Sequence, residues 1–121
     1  MKSTQIVEVN GQTLNLPLLQ DKIKRQPDLY RNEFMNCYEI FKKLLPELRD
    51  NPAKEQPTIC SFLLFFTHLF DRYPKDLQFL SNELINIVEQ YYSILHVVTR
   101  TTCVQCLILL RTKNLISPVL Y

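Results

Sequence analysis

The sequence predicts an all-α protein: an armadillo- or HEAT-like helical-repeat segment, an α-solenoid of about five helices. Three observations predict it. Apolar residues recur at helical spacing, prolines separate the helices at short intervals, and nearly all-apolar helices alternate with amphipathic ones. Stacked helix pairs produce this alternation, because each pair completes its core against the next. Since no internal repeat is visible in the sequence, the assignment depends on helix order, and a compact helical bundle is the alternative.

Five helices are expected over residues 17–25, 27–45, 57–73, 75–92 and 97–113. The first begins at Pro17, because proline is tolerated in a first turn, and ends before Pro27, because proline disfavours helix at the preceding residue. The second carries one apolar stripe with three- and four-residue spacing, and Pro46 is expected to end or kink it. This stripe comprises Tyr30, Phe34, Cys37, Phe41, Leu44 and Leu48.

The last three expected helices differ in how much of their surface is apolar. The third is expected to be central, because residues 62–66 place apolar side chains on every face. The fourth is amphipathic, with an apolar stripe from Leu77 to Tyr91 and a polar opposite face. The fifth is expected to be buried, because Gln105 alone interrupts the apolar run from Cys103 to Leu110.

The two ends of the chain carry turn and helix-start signals. Residues 1–13 are expected to be irregular, with Asn10-Gly11 as a turn signal. Residues 14–121 are expected to form the helical-repeat domain, the N-terminal part of a longer solenoid. Ser117-Pro118 is typical of the start of another helix, and less than one turn follows it. The solenoid is therefore expected to be incomplete at its C-terminus, with an uncapped helix face available for self-association.

Composition limits the classes of function. The chain has 14 basic and 12 acidic residues among 121, and a net charge of +2 is too small to predict nucleic-acid binding by charge alone. Its single glycine leaves no Gly-rich phosphate loop. Four cysteines without a signal peptide predict reduced thiols inside the cell. No apolar stretch approaches the ~20 residues that span a bilayer, so no membrane partner is expected.

The CxxC at residues 103–106 is the one motif with known metal or redox chemistry. A structural zinc site needs about four ligands, and Cys37 and Cys60 lie far away with no second CxxC. Two thiols one helical turn apart in a core face are therefore the favoured interpretation. A small intracellular metal- or redox-active protein is the alternative. Because His68 and His96 have no sequence-local Asp or Cys, no triad, metal ligand, cofactor or small-molecule substrate is predicted.

Basic residues cluster near the end of the first expected helix and again near the end of the fifth. They are interpreted either as a phosphate-contacting or nuclear-targeting patch, or as solvated helix ends where cations favour the helix dipole. The second interpretation is favoured by sequence alone. The candidate binding residues are Lys22, Lys24, Arg25 and Arg31 as an exposed basic edge, with Arg111 and Lys113 as a weaker second group.

Three segments, residues 14–34, 72–88 and 106–118, together resemble the N-terminal region of the severe-depolymerization-of-actin (Sda) family. The most specific pieces are NLPxLQxxIKRxPxxYxxEF in the first segment and LILLRxKNLIxP in the last. Residues 94–100 depart from the family pattern, because a more polar helix start is expected there, and residues 45–52 also differ.

The resemblance implies a non-enzymatic role, since no catalytic motif is associated with that family. It implies a scaffold module in large ribosomal subunit (pre-60S) biogenesis, nuclear export and protein transport, located in the nucleus and nucleolus. The implied partners are proteins of a pre-ribosomal particle, with rRNA as a second class of contact. Family members are several times longer, so a truncated relative without independent function is a further alternative.

Overall fold

The computed structural model describes residues 6–9 and 12–112. In this part of the chain, five α-helices follow a short antiparallel hairpin, and a 3-10 helix joins the last two α-helices. The elements are β1 (Ile6–Val9), β2 (Gln12–Asn15), α1 (Leu16–Arg25), α2 (Arg31–Asp50), α3 (Pro57–Leu69), α4 (Gln78–Tyr91), the 3-10 helix (Tyr92–Ile94) and α5 (Val97–Thr112). The predicted all-α, helical-repeat class is confirmed, and the hairpin is an addition to it. The predicted helix start at Ser117-Pro118 lies outside the described residues.

The helices are arranged in two layers. The central helix α3 packs against α1, α2 and α5, and α4 packs against α5. Helices α3 and α5 run parallel, because Cys60 contacts Thr99 near their N-terminal ends and Thr67 contacts Cys106 farther along. Helices α1, α3 and α5 thus form one layer. Helices α2 and α4 form the second layer, which packs against one face of the first. This alternation is the arrangement of stacked helix pairs in a repeat protein.

The core centres on α3, as its all-round apolar sequence predicts. Nine of its 13 residues are buried. The ring of Phe66 lies at the middle of an aromatic cluster from two helices, edge-on to Phe34 at 5.8 Å and to Tyr38 at 5.3 Å between ring centroids. Its other ring neighbours, at 5.2 to 5.9 Å, are Phe41, Phe62 and Phe65. Aromatic contacts of this kind stabilise a core beyond the area that they bury.

The N-terminal hairpin corrects the expectation of an irregular segment over residues 1–13. Strand β1 pairs antiparallel with β2 in a register that places Ile6 opposite Asn15 and Val9 opposite Gln12. Asn-Gly is typical of two-residue hairpin connections, and this dipeptide separates the strands in sequence. The prediction missed the pairing because each strand has only four residues. An isolated two-stranded hairpin is marginal in water, and here β1 contacts α1 and α3.

Several helix boundaries differ from the predicted ones. Pro46 does not end α2, which continues to Asp50. The last turn is retained because Leu48, predicted to lie in a loose turn, is 1% exposed in the core, and its burial offsets the hydrogen bond that proline cannot donate. Helix α1 begins one residue early, because the Asn15 side chain caps it by accepting a hydrogen bond from the Leu18 N–H at 3.2 Å.

The region between α3 and α4 forms successive turns rather than helix over residues 70–77. Its side chains are not all solvated, since Phe70, Tyr73 and Leu77 are buried. This connection is hereafter called the α3–α4 turn. Among the helices of the described chain, none combines the length and the apolar character required to cross a membrane.

Candidate binding edge and corner junction

The structure brings the four residues of the predicted basic edge to one corner. Lys22, Lys24 and Arg25 lie in the last turn of α1, and Arg31 is the first residue of α2. All four side chains are exposed. The backbone carbonyl groups at the end of α1 carry the negative end of the helix dipole, which favours cations there. The corner is therefore a basic surface held in place by two helix ends.

Local partners reduce the free positive charge of this edge. The Arg25 guanidinium lies 3.2 Å from the Asp21 carboxylate, and that of Arg31 lies 3.0 Å from the Asp76 carboxylate. The Lys22 ammonium lies 5.8 Å from the centroid of the Tyr30 ring. Within the described residues, Lys22 and Lys24 take part in no ion pair. The positive charge available to a partner is therefore concentrated on these two lysines.

The α3–α4 turn fastens the corner. Arg72 Nε donates a hydrogen bond to the Lys24 carbonyl oxygen at 3.3 Å, and the Tyr73 hydroxyl donates to the Pro27 carbonyl oxygen at 2.5 Å. The Tyr73 ring stacks on Phe34 with 4.0 Å between centroids. The Arg31 guanidinium lies 5.6 Å from the centroid of the same Tyr73 ring. These contacts, with the Arg31–Asp76 ion pair, are called the corner junction below.

Arg72, Tyr73 and Asp76 belong to this corner but were not among the predicted site residues. The signal was nevertheless present, because residues 14–34 and 72–88 are two of the segments that carry the family resemblance. The structure shows that the two segments meet at the corner junction. Part of their specific pattern therefore encodes a joint between helices rather than a binding surface.

The weaker group of cations lies elsewhere. Arg111 is exposed near the C-terminal end of α5 and lines an apolar depression of about 260 Å³ together with Val88, Leu107 and Ile108. Because α3 lies between α1 and α5, Arg111 is not part of the corner at α1. Lys113 lies outside the described residues.

The CxxC thiols lie inside the core. Cys103 and Cys106 are each 0% exposed on α5, as the core-face interpretation predicts. The pKa of both thiols is raised to about 12, mainly by burial, and the neighbouring thiols of Cys106 and Cys60 contribute to the rise at Cys103. In the part of the chain that the structure describes, no three His, Cys, Asp or Glu residues are grouped to hold a metal ion. Nothing in these contacts supports the metal or redox alternative.

The buried thiols are expected to react slowly in the native protein. At pH 8, Ellman's reagent should modify Cys103 and Cys106 about a hundredfold more slowly than the same thiols in denaturant, because a raised pKa leaves little thiolate. A thiol whose pKa is higher in the folded state binds more protons there. Its stabilising effect is therefore complete below about pH 9 and is lost as the pH rises toward 12.

Two measurements check this expectation: the time course of thiol modification, and urea unfolding from pH 7 to pH 10. The free energy of unfolding should fall above pH 9. Replacing both Cys103 and Cys106 with alanine should reduce that fall. Rapid modification of either thiol in the folded chain would contradict burial of the pair.

Comparison with known proteins gives a consistent set of relatives. A family model described as "SDA1, HEAT repeat" matches residues 65–120. Over 107 residues the chain is 36% identical to Protein SDA1 homolog of Xenopus tropicalis, covering 86% of this chain and 15% of that protein. It is 34% identical over 102 residues to Protein SDA1 homolog of Drosophila melanogaster, which covers 84% of this chain and 14% of that protein. It is 29% identical over 105 residues to Protein sda1 of Schizosaccharomyces pombe, which covers 87% of this chain and 15% of that protein.

Proposed function

The chain belongs to the SDA1 family, and from this premise we propose that it is a non-enzymatic scaffold module in large ribosomal subunit biogenesis and nuclear export. The similarity to SDA1 proteins over more than four-fifths of the chain carries this proposal. Neither the SDA1 family nor the HEAT repeat is an enzyme family. The chain spans about a seventh of the length of these relatives, so the proposal concerns one module. Its proposed place of action is the nucleus and nucleolus.

The proposed partner is a protein surface of a pre-ribosomal particle. Supporting this choice, the corner carries carboxylates as well as cations: Asp21 pairs with Arg25, and Asp76 pairs with Arg31. Such mixed charge complements a protein surface of mixed charge better than a continuous polyanion. The layered helices supply a rigid support, and the exposed lysines speed encounter with an acidic patch.

The test is a double charge reversal, Lys24→Glu with Arg25→Glu. The variant chain should co-sediment with pre-ribosomal particles at least fivefold less than the unaltered chain, because the basic edge would then repel its acidic partner. Circular dichroism should show unchanged helicity, since both side chains are exposed. The measurement is the fraction of tagged chain in particle fractions of a sucrose gradient.

The matched control is Lys42→Glu with Lys43→Glu, which makes the same change in net charge on the exposed face of α2. If both double variants lose co-sedimentation equally, net charge rather than the basic edge decides binding. Unchanged co-sedimentation of the Lys24 and Arg25 variant would remove these residues from the proposal. Binding of the unaltered chain to protein-free rRNA, weakened by the same double charge reversal, would assign the contact to RNA instead of protein.

A further inference from the structure

A groove follows the outward face of α3 between α1 and α5. It consists of two adjoining depressions that share Leu64. The first, about 220 Å³ in volume, lies at the N-terminal end of α3, and the second, about 440 Å³, lies toward its C-terminal end. From Cys60 in the first to His68 in the second, the helix rises about 12 Å. This span matches about four residues of an extended peptide. The two depressions together are called the α3 groove.

The first depression offers an apolar contact. Its lining includes Pro57, Leu64 and Val98, and the Val98 side chain is 47% exposed. Val98 also ends a short run of exposed apolar residues at the α4–α5 corner, where Tyr92, Ile94 and Val97 are 48 to 57% exposed. Apolar side chains exposed in such a concentration are typical of an interaction site.

The groove carries one acidic side chain. Among its described lining residues, Glu55 is the only Asp, Glu, Lys or Arg, and it takes part in no ion pair with other described residues. Burial raises the pKa of the Cys60 thiol, and hydrogen bonds with Thr102 and Thr99 lower it in part. The nearby Glu55 carboxylate makes a smaller contribution that raises the same pKa. Because Glu55 lines the same depression as Pro57, Leu64 and Val98, a partner's cation would complement its carboxylate there.

The second depression offers hydrogen-bonding groups. Gln20 on α1 and Gln105 on α5 line it on the two sides of Leu64, and each carries a side-chain amide. Each amide has both donor and acceptor atoms, so the pair suits the N–H and C=O groups of a peptide backbone. An extended segment leaves those groups free, whereas a helix uses them internally.

We propose that the α3 groove binds a short extended segment of another protein, in which an apolar side chain is adjacent to a lysine or arginine. The apolar side chain packs against Leu64 and Val98, and the cation pairs with Glu55. The backbone then crosses Gln20 and Gln105. This inference goes beyond the proposed function and does not depend on the basic edge, which lies at the α1–α2 corner.

The test uses a phage library of random heptapeptides panned on the immobilised full chain. Enriched sequences should place a lysine or arginine next to an apolar residue. Fluorescence polarisation with the best enriched peptide, labelled with fluorescein, should give about tenfold weaker binding to Val98→Gln, which removes the apolar contact. Glu55→Lys should weaken the same peptide about fivefold and shift a second panning toward Asp and Glu.

The matched control is Ile108→Gln, which makes the same kind of change at a residue of α5 that is 56% exposed and lies outside the α3 groove. Circular dichroism checks that each variant remains folded. Absence of any enriched sequence would overturn the proposal, as would equal effects of the Val98 and Ile108 variants. The Lys24 and Arg25 variant should bind the peptide normally, so failure here is distinct from failure of the proposed function.

Discussion

Replacing Phe66 with alanine is expected to lower the free energy of unfolding by about 3 to 5 kcal/mol. The Phe66 ring is 0% exposed and contacts five other aromatic rings from α2 and α3. Removing it leaves a cavity among rigid rings that cannot close around the smaller side chain. Urea unfolding followed by circular dichroism measures the loss.

The control is Phe79→Ala. Phe79 is 43% exposed on α4, so its loss should cost about 1 kcal/mol or less. Because a loss of 3 to 5 kcal/mol is a large part of the total stability of a small domain, Phe66→Leu serves as a milder variant that retains part of the packing. Equal destabilisation by Phe66→Ala and Phe79→Ala would contradict the central position of α3.

Replacing Tyr73 with alanine should produce the second large effect, a loss of about 3 kcal/mol or more. Tyr73 is 5% exposed in the corner junction, where it stacks on Phe34 and donates a hydrogen bond to Pro27. The truncated residue would release the α3–α4 turn from the end of α1. Urea unfolding measures the loss, and hydrogen exchange should show faster exchange at the α1–α2 corner.

Two further variants separate the contributions of Tyr73. Tyr73→Phe keeps the ring and removes only the hydroxyl that donates to Pro27, so about 1 kcal/mol should be lost. Tyr92→Ala removes a tyrosine that is 48% exposed beside Arg100 and should cost less than about 1 kcal/mol. A Tyr73→Ala variant no less stable than Tyr92→Ala would show that the corner junction does not hold α1.

The helices could be predicted from the sequence because burial follows local periodicity. Phe34, Phe41 and Leu48 lie in one predicted stripe and are all buried on α2. The end of the same helix was predicted wrongly at Pro46, because the local cost of proline was considered without the burial of Leu48. The hairpin was missed for a related reason, since its support comes from contacts with α1 and α3 rather than from its own four-residue strands.

The basic residues of the candidate site could be predicted from the sequence, but the carboxylates that they contact could not. The sequence shows that Arg31 is basic and lies near the end of a helix. Its carboxylate partner Asp76, however, is 45 residues away along the chain. Such a contact depends on how helices stack, and the local pattern of a single sequence does not specify it. The α3 groove escaped prediction for the same reason, because Glu55, Leu64 and Val98 come from different parts of the chain.

The corner junction holds α1 through main-chain oxygen atoms, since Arg72 and Tyr73 donate to the carbonyl groups of Lys24 and Pro27. Whichever amino acid occupies position 24 presents the same carbonyl oxygen. A substitution at position 24 can therefore change which partners the side chain binds while the hydrogen bond from Arg72 is kept, provided that the new residue is compatible with helix. In evolutionary terms, the main-chain groups preserve the shape of this corner, and the exposed side chains are free to change their binding specificity.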